Sequence, residues 1–274
     1  MQNKNFSLTI GWLYPELMST YGDRGNIICL QKRCEWRGIQ VEVKKLDVGF
    51  EYKQLAICDL LFMGGAQDTQ QKIVSRDFSK EKVKTLKDMI EDGIPGLYVC
   101  GAYQFLGRYY KESNGTIIDG LGILDLHTEN PGEKAPRLIG NISVEINDLR
   151  FKIYENEDQD HKSYLMNHKS TMIGFENHGG RTYLGKKIKP LGKVIKGFGN
   201  NGNDKTEGAV YKNSLGSYLH SPILPKNPHF ADYLLDIALR RRYSNEVCLA
   251  DLTPLDDSLE NSARKAILER LNIY

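Results

Sequence analysis

The sequence predicts an α/β fold: a mostly parallel central sheet flanked by helices, with additional antiparallel strands. Three observations predict it. Short apolar runs alternate with helical patterns through the first half of the chain, and Gly or Pro punctuates most of them. In the second half the apolar spacing changes to the two-residue period of half-buried antiparallel strands. A regular alternation of this kind needs right-handed crossovers between neighbouring parallel strands.

The elements follow in order. Residues 8–13 are apolar enough for a buried strand, and a helix over 22–37 carries Ile27, Leu30 and Cys34 on one face. Strands follow at 41–43 and at 60–63, the second running into Gly64 and Gly65. Ser79 opens a helix whose inner face carries Val83, Leu86 and Ile90, and Gly93 with Pro95 ends it. A strand at 97–99 stops abruptly at Cys100. Ile142, Val144 and Ile146 alternate with polar residues; Asn147-Asp148 offers a turn, with Phe151 and Ile153 on the partner strand. Residues 155–160 read as an acidic solvated loop, and 197–208 as a long flexible one. Strands around 208–211 and 214–219 precede His220. Phe230, Tyr233, Leu234, Ile237 and Ala238 lie at helical spacing. A last helix over 257–272 is expected to bury Leu259, Ala263, Ile267 and Leu271. With no repeat and no linker, residues 1–274 are expected to form a single domain.

Composition excludes several function classes. Among 274 residues, 37 Lys+Arg against 35 Asp+Glu leave a formal charge of +2, too little for a nucleic-acid partner bound mainly by electrostatics. No apolar run approaches the roughly 20 residues of a spanning helix. The N-terminal stretch lacks the apolar core of a secretory signal. Five cysteines, an odd number spread over a long chain, suit reduced thiols. The expectation is therefore a cytoplasmic protein.

The sharpest motif is the strand that runs into Cys100, Gly101 and Ala102 and then into a helix. That is the layout of a nucleophile elbow, where a tight turn lifts one side chain above the sheet and small neighbours permit strained backbone. A thiol at a helix N-terminus feels the positive end of the dipole, which favours thiolate, and the Gly101 amide can face an oxyanion. A buried structural cysteine is the competing reading. Cys29, Cys34, Cys58 and Cys248 lack metal-ligand spacing and read as core, so no metal is expected. A cysteine nucleophile needs a histidine. His220, ending a strand before Pro222, ranks first, and His178, in a Gly-rich turn, ranks second. His127, His161, His168 and His229 read as surface residues. Gly64 and Gly65 close the third strand and can bring amides to a ligand as further oxyanion donors. Neither a phosphate-binding loop nor a dinucleotide fingerprint is present. The basic stretches 186–189 and 240–242 read as solvated faces or partner contacts.

Together these residues resemble the class I glutamine amidotransferases of the cobyric-acid-synthase-like branch. The segment Val99-Cys100-Gly101-Ala102-Tyr103-Gln104-Phe105-Leu106-Gly107 carries most of the likeness. The segments 21–26, 64–68, 137–141, 175–182 and 218–228 look like one subfamily, the GatD-type glutaminase subunits of lipid II isoglutaminyl synthase. The resemblance implies a flavodoxin-like amidotransferase domain with Cys100 as nucleophile, His220 as base and Arg137 on the substrate L-glutamine. Ammonia would pass to a Mur-ligase-like subunit of MurT type in a heterodimer, which amidates the D-glutamate of lipid II in peptidoglycan synthesis. ATP and Mg are expected on that partner and no cofactor on this chain. The complex would place the chain at the inner face of the membrane. Alternatives are a stand-alone thiol hydrolase or peptidase on a similar scaffold, and a catalytically silent binding subunit.

Two departures from the family pattern stand out. Tyr98 and Ala102 replace glycines on either side of the nucleophile. The glutamate that usually follows the histidine by two residues is Pro222 here. The triad acid is then expected from Glu176 or, preferably, from an aspartate of the partner.

Overall fold

The computed structural model describes residues 6–146, 171–220, 222–244, 246–247 and 254–273. Strands that are apolar on both faces belong in the middle of a covered sheet. β3 (Leu60–Met63) and β4 (Gly96–Val99) are buried at every position, and they occupy the centre of a six-stranded sheet. β1 (Ser7–Leu13) pairs with β3 on one side and with β2 (Gln40–Leu46) on the other, all in parallel. β2 is the edge, and its exposed charged side chains suit that place. On the far side β14 (Ser214–Ser217) adds in parallel to β4, and β13 (Ala209–Tyr211) closes the sheet antiparallel. The chain ends of β3, β4 and β14 therefore lie side by side.

The helices cover this sheet as the apolar spacing requires. α1 (Arg24–Glu35) buries Ile27, Leu30 and Cys34. α4 (Lys80–Glu91) is capped by Ser79, buries Leu86 and Ile90, and ends before Gly93 at φ +84°. α2 (Tyr52–Ala56) and α3 (Asp68–Asp77) complete the first half; α3 buries only Gln71 and Val74, so apolar periodicity does not announce it. α5 (Gly101–Phe105) follows β4 directly and is wholly buried.

Two smaller sheets cover the end of the large one. β5 (Tyr109–Lys111), β6 (Ile117–Asp119), β7 (Leu126–Glu129) and β10 (Arg181–Leu184) form one. β8 (Leu138–Ile146), β9 (Thr171–His178), β11 (Gly192–Lys196) and β12 (Thr206–Glu207) form the other. The alternation at 142–146 is the buried face of β8, whose partners are β9 and β11. The expected partner strand at 151–153 and the acidic loop lie outside the described residues.

Two expectations are corrected. Residues 197–208 are not a loose loop. Asn200 is fully buried, its Nδ2 donates to Gly208 O at 3.0 Å, and its Oδ1 accepts from Gly208 N at 2.9 Å. Side-chain amides here replace a backbone ladder, which composition alone cannot distinguish from flexibility. The last helix, α8 (Ser258–Arg270), buries none of its residues, and Leu259 is 78% exposed. Polar contacts hold it instead: Arg264 reaches Asn227 Oδ1 at 2.8 Å and the Thr171 carbonyl. α6 (Ile223–Lys226) and α7 (Pro228–Arg242) precede it, α7 burying Phe230, Tyr233, Leu234 and Ala238 as the spacing predicts.

Below α8, Arg33 is nearly sealed from solvent. It donates to Asp232 at 2.6 and 2.7 Å and to Asp257 at 2.6 and 3.0 Å. Asp232 also accepts from Arg37 at 3.1 and 2.7 Å, so loss of Arg33 takes this partner from Asp257 while Asp232 keeps another. Arg33→Ala is expected to destabilise the protein by about 1–3 kcal/mol in urea unfolding, more than loss of an exposed pair such as Lys84–Asp88.

Candidate active site

The sharp stop of β4 at Cys100 has a conformational cause. Cys100 caps α5 with φ 51° and ψ −106°, a strained backbone for a residue with a Cβ. Its N–H donates to Ser217 O at 2.8 Å and its carbonyl accepts from Gln104 N at 3.0 Å, so β14 and α5 hold the turn from both sides. Ala102 lies inside α5 with no positive φ, so alanine fits there without strain. The Gly101 N–H opens the helix and has no intrahelical acceptor. A Cβ on Gly101 would stand 2.8 Å from Ala66 N, so the elbow packs closely on the loop after β3.

That loop explains its two glycines by space. A Cβ on Gly64 would lie 2.8 Å from Asp23 Oδ2; one on Gly65 would lie 2.8 Å from His220 Cε1 and 3.3 Å from Cys100 Cβ. His220 and Cys100 thus meet across Gly65. Gly65 N–H donates to Asp23 Oδ2 at 2.6 Å, which removes it as the oxyanion donor expected from sequence. That bond does not involve Gly64; both glycines also clear space around Asp23, His220 and Cys100.

His220 is fully buried, and its Nδ1 stands 3.3 Å from Asp23 Oδ1. Burial pulls the imidazole towards its neutral form, but the facing Cys100 and the Asp23 carboxylate outweigh it, pushing His220 up to about 10. The carboxylate behind the histidine is therefore Asp23 of the same chain. Glu176 is engaged elsewhere, accepting Phe198 N at 2.7 Å and Gly199 N at 2.8 Å. The ring nitrogen for which the sequence suggested Glu176 or a partner aspartate already faces Asp23. Pro222 serves by packing: a Cβ on Gly25 would lie 2.4 Å from Pro222 Cγ, and Asn26 Oδ1 accepts Leu224 N at 2.9 Å. These contacts seat the segment that carries Asp23.

The other histidines separate clearly. His178 is buried with Nδ1 2.8 Å from Gly180 O, and its ring stacks on Tyr218 at 3.6 Å. Burial lowers its pKa, so it packs as a neutral ring. His127 stacks between Tyr109 and Tyr183 on the small sheet. His229 is not a freely solvated residue; burial pushes it down to about 3. His161 and His168 lie outside the described residues, as does Cys248. Burial pushes Cys29, Cys34 and Cys58 up to about 12, which suits packing and not reactivity. Among the described residues no cluster of His, Cys, Asp or Glu suits a metal ion.

Arg137 sits exposed at the start of β8. Its Nε donates to Asn177 Oδ1 at 2.9 Å and its Nη2 to Asn177 O at 3.0 Å. Asn177 Nδ2 donates in turn to the Tyr21 hydroxyl at 2.9 Å, and the Tyr21 ring meets His220 edge-on at 5.1 Å. Arg137 is thereby linked to the Cys100–His220 pair through two side chains. Of the arginines at 240–242, each pairs with a carboxylate of its own chain: Asp236, Asp92 and Asp59.

The model of the CobB/CobQ-like glutamine amidotransferase domain matches residues 9–228. The chain belongs to that family. It is 40% identical, over 97% of its length and 96% of the relative, to the lipid II isoglutaminyl synthase (glutamine-hydrolyzing) subunit GatD of Staphylococcus aureus. The corresponding subunit of Streptococcus pneumoniae is 38% identical over 90% of this chain and 86% of the relative. A probable cobyric acid synthase of Methanothermobacter thermautotrophicus is 29% identical over 83% of this chain but only 41% of that enzyme. The amidotransferase is thus of GatD type, matching those subunits along nearly their whole length and the synthase over less than half of its own. A solved glutamine amidotransferase superposes with a TM-score of 0.53 at 15% identity, covering 84% of this chain and 98% of that one, and shares the fold.

The strain at Cys100 makes a stability prediction. Gly adopts positive φ freely, whereas Ala retains a Cβ. Cys100→Gly is expected to be about 1 kcal/mol more stable than Cys100→Ala in denaturant unfolding, the relief of strain exceeding the added chain entropy.

Proposed function

We propose that this chain hydrolyses L-glutamine and hands the ammonia to a Mur-ligase-like partner that converts the D-glutamate of lipid II to D-isoglutamine. The observation that carries the reading is the strained Cys100 elbow meeting a buried His220–Asp23 pair, in a chain that matches the GatD subunits over nearly its full length.

The chemistry follows from the parts. The Cys100 thiolate attacks the side-chain amide carbon of glutamine, and the Gly101 N–H receives the oxyanion. His220, held by Asp23, gives its proton to the departing ammonia; it then takes one from the water that cleaves the thioester. Glutamate and ammonia are the products. Arg137 takes the α-carboxylate of glutamine, because its outer N–H groups match the two carboxylate oxygens. Ammonia released into water near neutral pH becomes ammonium and loses its nucleophilic lone pair, so the acceptor must be reached by a shielded route. In this reading ATP and Mg work on the partner and the heterodimer operates at the cytoplasmic face of the membrane; among the described residues no helix is long and apolar enough to cross it.

Asp23→Asn tests the in-chain triad. A carboxylate stabilises the imidazolium and raises its pKa, so its removal lowers that pKa. The alkaline limb of kcat/KM for glutamine is expected to move to lower pH, with kcat falling about a hundredfold or more. An unaltered profile, or loss of activity on Glu176→Gln instead, would reject Asp23. Arg137→Lys is expected to raise KM for glutamine about tenfold, since a point-charge ammonium loses the fork. Initial-rate kinetics on ammonia release read both.

A further inference from the structure

Tyr21 is out of the ordinary for a large side chain beside an active site. Its backbone is left-handed, with φ 54° and ψ 31°, and the residue is 49% exposed. Such a conformation is strained in a residue with a Cβ and persists only where its surroundings over-determine it. Here they do. Thr20 N donates to Gly65 O at 3.2 Å, which pins the turn to the loop beside Cys100. Gly22 and Asp23 follow, and Asp23 holds both Gly65 and His220. The Tyr21 ring stands edge-on against His220 at an interplanar angle of 73°.

The hydroxyl of the same ring points to the other half of the site. It accepts from Asn177 Nδ2, while the two oxygens of Asn177 receive Nε and Nη2 of Arg137. With Oδ1 held by Arg137 Nε, the side-chain amide has one orientation, and its NH2 then has one direction. The two bonds occupy one edge of the guanidinium and leave the Nη1 side for a carboxylate.

We propose that Tyr21 is a positioning residue that couples capture of the substrate α-carboxylate at Arg137 to the orientation of His220, through Asn177. The inference rests on the glutaminase reading above. A carboxylate on Arg137 steadies the guanidinium, the guanidinium steadies Asn177, and Asn177 holds the Tyr21 hydroxyl. The ring then walls the imidazole against Cys100 and Asp23. A substrate without that carboxylate leaves the wall slack. Recognition of the free amino acid is thereby expressed in kcat as well as in KM.

Tyr21→Phe tests this, because it keeps the ring and removes only the hydroxyl. L-Glutamine and its α-methyl ester are compared as substrates of the full chain, alone and with its partner, in parent and variant. In the parent the ester is expected to lower kcat about tenfold; in Tyr21→Phe kcat on glutamine falls by a similar factor and the further ester penalty shrinks below about threefold. Unchanged kcat on glutamine in the variant, or penalties that simply multiply, would overturn the coupling. A second readout does not depend on turnover: the imidazole ¹⁵N signals of His220 on adding L-glutamate, which presents the same α-carboxylate. They are expected to shift in the parent and to stay fixed in Tyr21→Phe; an equal response in both, or none in either, would refute the proposal. Failure of the glutaminase reading shows separately, as a parent that releases no ammonia and whose Cys100 ignores a diazoketone analogue of L-glutamine.

Discussion

One buried carboxylate ties the site together. Asp23 places one oxygen 3.3 Å from His220 and the other 2.6 Å from Gly65 N, so it joins the segment before α1, the loop after β3 and the end of β14. A charge without solvent must be paired or hydrogen-bonded, and here each oxygen has a partner. The packing around it serves that demand. Gly64 and Gly65 have no side chains that would collide with Asp23 or His220, and Gly25 leaves room for Pro222.

The Cys100 elbow depends on a different constraint. A positive φ at Cys100 is held because β4 is central, α5 begins at once, and β14 takes the Cys100 N–H. Strain at a single residue needs rigid neighbours on every side, and the middle of a parallel sheet supplies them. The two small sheets then bring what the large sheet lacks. β8 presents Arg137, β9 presents Asn177, and residues 197–208 wrap Glu176 with backbone amides. Glu176 thereby orders a loop that its Gly and Asn content would otherwise leave free.

Charge inside the protein follows a consistent pattern. Arg33 lies between two aspartates, and His220 lies between Asp23 and Cys100. In both, acidic neighbours offset the cost that burial puts on the positive charge. For His178 burial outweighs Glu176, whose Oε2 lies 3.9 Å from Nε2, and for His229 burial acts together with Arg264 and Arg33; both are held towards the neutral state. The same residue type is thus reactive or inert according to what the tertiary fold sets beside it.

The sequence by itself determined the parts written in short-range pattern. The buried strands, the inward faces of α1, α4 and α7, and the strand–Cys–Gly elbow each rest on residues within a few positions of one another, where spacing and glycine placement decide the conformation. The tertiary structure alone decided which carboxylate faces His220. Asp23 and His220 are 197 residues apart, and they meet because Gly25 accepts Pro222 and Asn26 binds Leu224. No periodicity encodes that meeting. Likewise α8 has a legible helical spacing, yet Arg33, Asp257 and Arg264 dock it by polar contacts, so its apolar residues do not define an inner face. Local sequence fixes which conformation a segment prefers; which charge lands on which partner depends on the packing of segments far apart in the chain.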